Sequence, residues 1–251
     1  MSNDLQWLFP PLHPQNFQEG SDGNQKAFDG TIDSLLREAI QNASDAKWPI
    51  NSGKKVKIRV TAIKLSGNDK TKFLKTMGWD QLSKHVEAVA DNEKGGADVL
   101  NQSLRDGLAK LNTKPLYMLR VEDFNTSGLF GYEKENEEDT VPNVYRGALF
   151  AAGHSINKLA GSGGSFGMGK YALMKGSLIQ TVLYNSNINT EPGSFSFSSE
   201  KVNLDKFTDK QHKNRLLGRT VLGTHKLNER SYGKEGWFGL PSIVEDKVDD
   251  S

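Results

Sequence analysis

Cysteine is missing from this chain altogether. Disulfide bonds, thiolate metal sites and cysteine nucleophiles are therefore excluded. The absence fits a reducing compartment, so we expect a cytoplasmic location. An excess of either charge is missing as well, since the net charge at pH 7 is only +1. A chain without a basic excess has no general attraction for nucleic acid, and we do not expect this domain to bind nucleic acid directly.

Long apolar runs are also missing. No stretch approaches the roughly 18 apolar residues of a membrane-spanning helix, so no membrane partner is expected. Residues 1–6 lack the basic start and apolar run of a secretory signal. The histidines show no metal-ligand spacing, so a histidine-metal site is not indicated.

The composition is that of a globular protein, with 35% hydrophobic and 25% charged residues. Residues 1–27, rich in Pro, Gly, Asn and Gln, are predicted to form an irregular arm, and residues 28–240 the main domain. Residues 66–114 are predicted to be an inserted pair of helices with a break at Gly95-Gly96. Residues 241–251 are acidic and are predicted to be a frayed tail or the start of a following domain.

Hydrophobic periodicity predicts the regular elements. A helix over residues 30–48 would be capped by Thr31 or Asp33 and stopped by Pro49. The predicted strands cover residues 54–65, 116–121, 178–184, 195–201 and 219–227, the first half-buried and the second buried, and the further helices cover residues 144–159 and 171–174. Because runs of strands are not separated by regular helices, we predict an α+β fold with a mostly antiparallel sheet.

Three polar residues stand out on the predicted first helix. Glu38, Asn42 and Asp45 lie at i, i+4 and i+7, which places them on one stripe at the border of the apolar face. That face comprises Ile32, Leu35, Leu36, Ala39, Ile40, Ala43 and Ala46. A carboxamide oxygen together with phosphate oxygens suffices for Mg²⁺, and a nearby carboxylate can orient an attacking water. The alternative interpretation is a solvated helix edge.

A second feature is the turn after the predicted strand over residues 116–121. Asp123 follows that strand, and an aspartate there would direct its carboxylate into a cleft. An ionised carboxylate can accept a hydrogen bond from an exocyclic amine, which would select adenine. The alternative is an ordinary turn, since Asp and Asn favour turns in general.

The third feature is a glycine-rich segment over residues 161–170, which we call the glycine loop. Gly164 to Lys170 satisfies the G-x-x-x-x-G-K spacing of a P-loop, but Tyr171 stands in place of Ser or Thr and no apolar strand precedes it. Gly167, Gly169 and Ala172 match a dinucleotide-binding fingerprint, but the strand that should precede that fingerprint is missing here too. The remaining interpretations are a plain linker and a phosphate-covering lid, whose amides and Lys170 would hold phosphates at a helix amino terminus.

In this order, the helix trio, the aspartate turn and the glycine loop resemble the motifs of the GHKL, or Bergerat-fold, ATPases. The first motif is nearest to the heat-shock chaperone branch, with the pattern E-x-x-x-N-A-x-D. The resemblance implies a two-layer α/β sandwich, a mixed and mainly antiparallel sheet with helices on one face. It further implies that Glu38 is the general base, that Asn42 binds Mg²⁺, that Asp45 supports the site and that Asp123 binds the adenine amine.

The second motif departs from the family pattern D-x-G-x-G. Asn125 and Ser127 replace its glycines and Gly128 follows, and because Asn tolerates left-handed backbone we expect the turn to survive. For the late-strand threonine of the family, Thr224 matches best and Thr220 is the competitor. The lid residues implied by the resemblance are Gly164, Ser165, Phe166, Gly167, Met168, Gly169 and Lys170.

The function implied is Mg²⁺-dependent binding and hydrolysis of ATP, slow in isolation. Closure of the lid would drive dimerisation, with residues 1–27 as an exchange arm, or engagement of a protein partner at the insertion 66–114. The alternatives are a protein kinase of the same superfamily, although no helix with a phosphorylatable histidine is visible upstream, and a nucleotide-dependent switch that does not hydrolyse. A chaperone-like role, a DNA transaction and a prokaryotic defence role are left open.

Overall fold

A computed structural model describes twelve parts of the chain. They are residues 5–10, 31–46, 55–91, 98–129, 144–149, 170–188, 194–197, 200–203, 214–223, 225, 227 and 234–239. The helices are α1 (Ile32–Asp45), α2 (Gly67–Thr76), α3 (Trp79–Ala90), α4 (Asp98–Thr113), α5 (Val144–Leu149) and α6 (Lys170–Lys175). The strands are β1 (Gln6–Leu8), β2 (Lys57–Leu65), β3 (Leu116–Phe124), β4 (Thr181–Asn187), β5 (Ser194–Phe197), β6 (Glu200–Asn203), β7 (Asn214–Val221) and β8 (Glu235–Gly239).

The described strands form three antiparallel sheets. The largest has the order β1-β8-β7-β4, and β2-β3 and β5-β6 are two-stranded. The predicted combination of helices with antiparallel sheet is confirmed, whereas the single mixed sheet is not seen in this part of the chain. At the end of β3, Asn125 and Gly128 adopt left-handed backbone, and the strand ends there.

The main core combines the start of the chain with the insertion. Trp7 and Phe9 are buried against Leu82 and Val86 of α3, Leu104 of α4, Leu222 and Phe238. Residues 6–8 therefore form a strand packed in the core, where an irregular arm was predicted. The apolar faces of the insertion form part of the same core.

The insertion also contains three described helices rather than two. The additional break lies at Met77 and Gly78, where Gly78 has a left-handed φ of 65°. A Cβ atom at Gly78 would lie only 3.2 Å from Cδ1 of Trp7, and the indole Nε1 of Trp7 donates to the carbonyl oxygen of Met77 at 2.6 Å. The break therefore gives the Trp7 side chain both space and a hydrogen-bond acceptor, and only glycine fits easily there.

Helix α1 begins as expected and ends early. The side chain of Thr31 caps it by accepting from the Ser34 amide at 3.2 Å, and the helix ends at Asp45 rather than at residue 48. Ile32 and Ile40 of the predicted apolar face are 65% and 52% exposed. That face is narrower than predicted because α1 is buried mainly along Leu35 and Ala43.

The β2-β3 ribbon differs from the prediction in burial. All nine residues of each strand pair, from Lys57 with Phe124 to Leu65 with Leu116, but no residue of either strand is buried. Val60 is 45% and Leu119 39% exposed. Apolar alternation predicted the strands correctly and their burial wrongly, because a two-stranded ribbon has no neighbouring strand to help bury its faces.

The later strands are shifted from their predicted positions. In place of one strand over residues 195–201 there is the β5-β6 hairpin, β7 begins earlier than residue 219, and β8 was not predicted. Left-handed Gln180 directly precedes β4, and left-handed Gly223 follows the end of β7. These conformations set the strand ends independently of hydrophobic alternation. No helix in the described parts of the chain is both long and apolar enough to cross a membrane.

Candidate functional site

The edge of α1 carries the first group of predicted site residues. Glu38 is half-buried, while Asn42 and Asp45 are exposed on the turns that follow. Burial raises the pKa of Glu38 above its ordinary value, and the negative charge of Asp45 raises it further. Burial also raises the pKa of Asp45. A carboxylate with a raised pKa holds a proton more strongly, which is the property required of a general base near neutral pH.

The turn after β3 is attached directly to the end of α1. The amide of Ser127, a buried residue, donates to the carbonyl oxygen of Ala46 at 2.9 Å. Ala46 is the C-cap of α1, so its carbonyl is one of those that the helix itself leaves without a partner. This hydrogen bond brings the aspartate turn to the end of the helix on which Asp45 is the last residue.

The turn keeps the backbone conformation that glycines would give it. Asn125 has a φ of 61°, as expected from its tolerance of left-handed backbone, and its side-chain Nδ2 donates to the Lys55 carbonyl oxygen at 2.8 Å. Gly128 has a φ of 69°. A Cβ atom at Gly128 would lie 3.1 Å from Oγ of Ser186, and that Oγ accepts from the Leu129 amide at 2.9 Å. The turn is therefore fixed to β4 as well as to α1.

Asp123 differs from its predicted environment. Its side chain is exposed rather than enclosed at the end of a buried strand. Its Oδ1 atom accepts a hydrogen bond from the Thr126 hydroxyl, within the same turn. The exposure follows from the open β2-β3 ribbon, and the Thr126 bond fixes the orientation of the carboxylate. Asp123 belongs to the same turn as Ser127, whose amide meets the end of α1, and its contact to adenine stays a prediction.

The helix that follows the glycine loop lies against α1. Lys170 is the first residue of α6, and α1 and α6 pack together. The approach is close at Gly176, directly after α6, where a Cβ atom would lie 2.5 Å from Cδ1 of Leu35. The predicted lid residues Gly164, Ser165, Phe166, Gly167, Met168 and Gly169 lie outside the described residues, as does the side chain of Lys170. Their roles stay predictions.

Of the two candidates for the late-strand threonine, the structure describes only Thr220. Thr220 is fully buried in β7. Its Oγ1 lies 2.9 Å from the Thr181 hydroxyl and 3.1 Å from the Gln180 carbonyl oxygen, so its single proton is used within the sheet. That leaves Thr220 poorly placed to donate to a nucleotide. Thr224 lies outside the described residues and stays the predicted choice.

Sequence reasoning missed the two serines that position the turn. Ser127 was noted only as a substitution for a glycine, although its buried amide makes the link to α1. Ser186 was not singled out, and it holds Leu129 from β4. Neither contact has a signal in local spacing, because each joins residues that are far apart in the chain. Within the described residues, no group of three or more His, Asp or Glu side chains is arranged to hold a metal ion.

The chemistry of the α1 edge fits a magnesium nucleotide. The Asn42 side chain is exposed to solvent, so its carboxamide oxygen can bind Mg²⁺ next to phosphate oxygens. One turn earlier, Glu38 has the raised pKa of a proton acceptor.

Comparison with protein-family models, with curated proteins and with solved structures finds no match to this chain.

Proposed function

We propose that the chain is an ATP-binding and ATP-hydrolysing module of the GHKL type, with a Bergerat-like fold. The observation that carries the proposal is the hydrogen bond from Ser127 to Ala46, at 2.9 Å, because it joins the aspartate turn to the polar helix edge. Two motifs that are distant in the chain thus meet at the end of α1, and this supports the proposal. The packing of α6 on α1 adds the helix that follows the glycine loop.

In the proposed reaction each residue has one task. Glu38 accepts the proton of the water that attacks the γ-phosphate, and its raised pKa suits that task. Burial raises the pKa of Glu38 and the charge of Asp45 adds to that effect, while Asn42 supplies a carboxamide oxygen to Mg²⁺. Magnesium, when bound with the nucleotide, supplies neutralisation of the phosphate oxygens. Asp123 accepts from the adenine amine, and the glycine loop with Lys170 surrounds the phosphates.

The proposed module would couple nucleotide binding to dimerisation or to a protein partner. Since residues 6–8 form β1 and Trp7 is buried, an exchange of the arm between two copies would have to break these contacts. The insertion 66–114 has its apolar faces in the core, so a partner there would meet polar helix surface. The ATPase activity does not depend on either proposal.

Incubation of the pure chain with γ-labelled ATP and Mg²⁺ tests the proposed function. Released inorganic phosphate that is lost when Glu38 is replaced by Ala supports the ATPase. Label that stays on the protein would favour the kinase, and bound nucleotide without any release or transfer would favour the non-hydrolysing switch. Absence of nucleotide binding at millimolar ATP would overturn all three.

A further inference from the structure

The charges of this chain are unevenly distributed. Residues 55–76 and 110–124, which include the β2-β3 ribbon, α2 and the end of α4, contain ten Lys or Arg and three Asp or Glu, a net charge of +7. The whole chain has a net charge of only +1, so the remaining residues sum to −6. The small total predicts no general attraction for nucleic acid, but it combines two parts of opposite charge.

Most of the ribbon's cations lie on one of its two faces. Residues paired directly across an antiparallel ribbon share a face, and side chains two positions apart on a strand do so as well. Lys57 is exposed, and the side chains of Arg59 and Arg120 are 63% and 53% exposed. We call this side the Arg59 face, and its successive pairs here are Lys57–Phe124, Arg59–Glu122 and Thr61–Arg120.

A single carboxylate lies among these cations. Oε2 of Glu122 lies 3.1 Å from Nε of Arg120 and 3.9 Å from Nη1 of Arg59, so two guanidinium groups share one acidic group. Each guanidinium has five N–H donors, and one carboxylate can use only some of them. Glu122 thus orients the two arginines, while the Arg59 face keeps a net charge of +2 from its three cations and one carboxylate.

The opposite side of the same ribbon, which we call the Lys64 face, has no excess of charge. Lys64 pairs with Tyr117 and Asp123 pairs with Ile58 on this side, so the face has one cation and one carboxylate. Nζ of Lys64 lies 6.0 Å from the Tyr117 ring centroid, and Tyr117 is 68% exposed. The charge excess of the ribbon is therefore confined to the Arg59 face, and the Lys64 face provides an internal comparison.

The Arg59 face also exposes an aromatic ring. Phe124 is 38% exposed and lies directly across from Lys57, and Cζ of Arg59 lies 5.1 Å from its ring centroid. Aromatic rings and guanidinium planes are the groups on which unpaired bases stack, and neighbouring cations can contact the phosphates. The face therefore combines the two kinds of contact that a single-stranded nucleic acid makes.

We propose that the Arg59 face of the β2-β3 ribbon binds single-stranded nucleic acid. Lys57, Arg59 and Arg120 contact phosphates, and a base stacks on the ring of Phe124. A single strand presents the faces of its bases together with its phosphates, whereas a duplex keeps its bases stacked inside. An anionic membrane would attract the cations without using the ring. The proposal does not depend on the binding or hydrolysis of ATP.

The charge contribution is tested by fluorescence anisotropy of a labelled oligothymidylate of about 20 nucleotides, titrated with the full chain without ATP at several salt concentrations. Each phosphate contact with a single strand contributes about 0.7 to the slope of log affinity against log salt. Arg59→Gln should therefore reduce that slope by about 0.7. Lys64→Gln is the matched control, because it also removes one β2 cation beside an exposed ring but acts on the other face, and its slope should equal that of the parent.

The stacking contribution is tested with a second matched pair. Phe124→Leu keeps an apolar side chain and removes the ring, so affinity for the oligothymidylate should fall by about tenfold without a change in the salt slope. Tyr117→Leu removes the more exposed ring of the Lys64 face and should leave affinity unchanged. Circular dichroism verifies that each variant is folded, and if Phe124→Leu is not, the salt slopes of the Arg59 and Lys64 variants decide the proposal.

Several results would overturn the proposal. They are no binding of the oligothymidylate at low salt, equal losses in the variants of the two faces, and equal affinity for a duplex of the same length or for polyphosphate, which has no bases. Binding to vesicles of anionic phospholipid without binding to the oligothymidylate would also overturn it, in favour of a membrane surface. Because the assay contains no ATP, a chain that binds the single strand and fails to bind ATP would refute only the proposed function.

Discussion

The backbone amide of Ser127 donates to the carbonyl oxygen of Ala46 at 2.9 Å, and this contact joins the turn after β3 to the end of α1. The carbonyl belongs to the C-cap of the helix, and the amide belongs to a residue buried to 1% exposure. Because both groups satisfy each other away from water, the relation between the turn and the helix is fixed. The fold itself therefore holds together the turn after β3 and the end of α1, which are two parts of the proposed site.

Replacement of Glu38 by Ala should abolish hydrolysis and leave ATP binding intact. General-base catalysis contributes about 10²–10⁴-fold to rate, so turnover should fall by about that factor. Steady-state phosphate release and calorimetric ATP binding measure the two properties. Asp33→Asn is the control on the same helix, since Asp33 pairs with Arg37 on the exposed surface. Hydrolysis at the parental rate in the Glu38 variant would show that the base lies elsewhere.

The raised pKa of Glu38 gives the activity a defined dependence on pH. The base works only when ionised, so the rate should fall as pH decreases through a pKa above the ordinary value of 4.5. Asp45→Asn removes the charge that contributes to the shift and should move the acidic limb of the kcat profile to lower pH. An acidic limb that stays in place in Asp45→Asn would contradict the coupling of the two carboxylates.

The same shift predicts a change in stability. The native state binds the Glu38 proton more tightly than the unfolded chain does, so the contribution of this group is complete below the unfolded pKa and is lost as pH rises through the folded pKa. The Glu38→Gln variant should therefore be more stable than the parent at neutral pH. At acidic pH its free energy of unfolding should not exceed that of the parent. Urea unfolding at pH 4 and pH 7 measures this difference, and a variant less stable at pH 7 would refute it.

Asp123→Asn should weaken binding of adenine nucleotides. The substitution keeps size and removes the carboxylate that is proposed to accept from the adenine amine, so we expect affinity for ATP to fall by about tenfold or more and preference over GTP to diminish. Competition between the two nucleotides provides the measurement. Asp69→Asn, on the exposed side of α2, is the control. A parental preference for ATP in the Asp123 variant would remove this residue from the site.

The two left-handed turn residues should differ in how much stability their substitution costs. Gly128→Ala places a Cβ atom 3.1 Å from Oγ of Ser186 at a φ of 69°, and should cost about 1–3 kcal/mol of unfolding free energy. Asn125→Gly removes strain at a φ of 61° but also the bond to Lys55, and should change stability by less than about 1 kcal/mol. Chemical denaturation of both variants decides this, and equal losses would contradict the described turn.

A buried histidine pair predicts acid sensitivity of the core. Nδ1 of His85 lies 2.9 Å from Nε2 of His225, and Phe9 stacks on His85 with a centroid separation of 3.6 Å. Burial, then His225 and Lys84, lower the pKa of His85 from 6.5 to about 4. The unfolded chain therefore binds more protons between these values, so stability should fall as pH decreases from 6.5 to about 4. The His85→Phe variant should show a weaker dependence of stability on pH. An unchanged dependence of its unfolding free energy on pH would contradict this prediction.

Sequence reasoning reached the local elements that carry strong patterns. Thr31 and the periodicity after it predicted the start of α1, and the tolerance of Asn125 for left-handed backbone predicted the course of the turn. The core was harder to predict from the sequence, because Trp7 packs against Leu82 and Phe238, which lie in distant parts of the chain. Strand burial failed for the same reason, since alternation at Val60 shows which residues share a face but not whether anything covers that face.

The candidate site was predictable as a set of motifs and not as a geometry. The i, i+4 and i+7 spacing placed Glu38 and Asp45 on one helix edge, and the structure adds that burial, with a smaller effect of the Asp45 charge, raises the pKa of Glu38. The Ser127–Ala46 bond does not follow from local spacing. It depends on how remote segments pack, which a single sequence does not reveal.

The most direct test of the central claim is a calorimetric titration of the parent chain and of Asn42→Ala with ATP, each with and without Mg²⁺. The account predicts saturable binding of one ATP per parent chain that is strengthened by Mg²⁺, and an Asn42→Ala variant whose residual binding no longer depends on Mg²⁺. No binding to the parent, or the same dependence on Mg²⁺ in both proteins, would contradict a magnesium nucleotide held at the edge of α1.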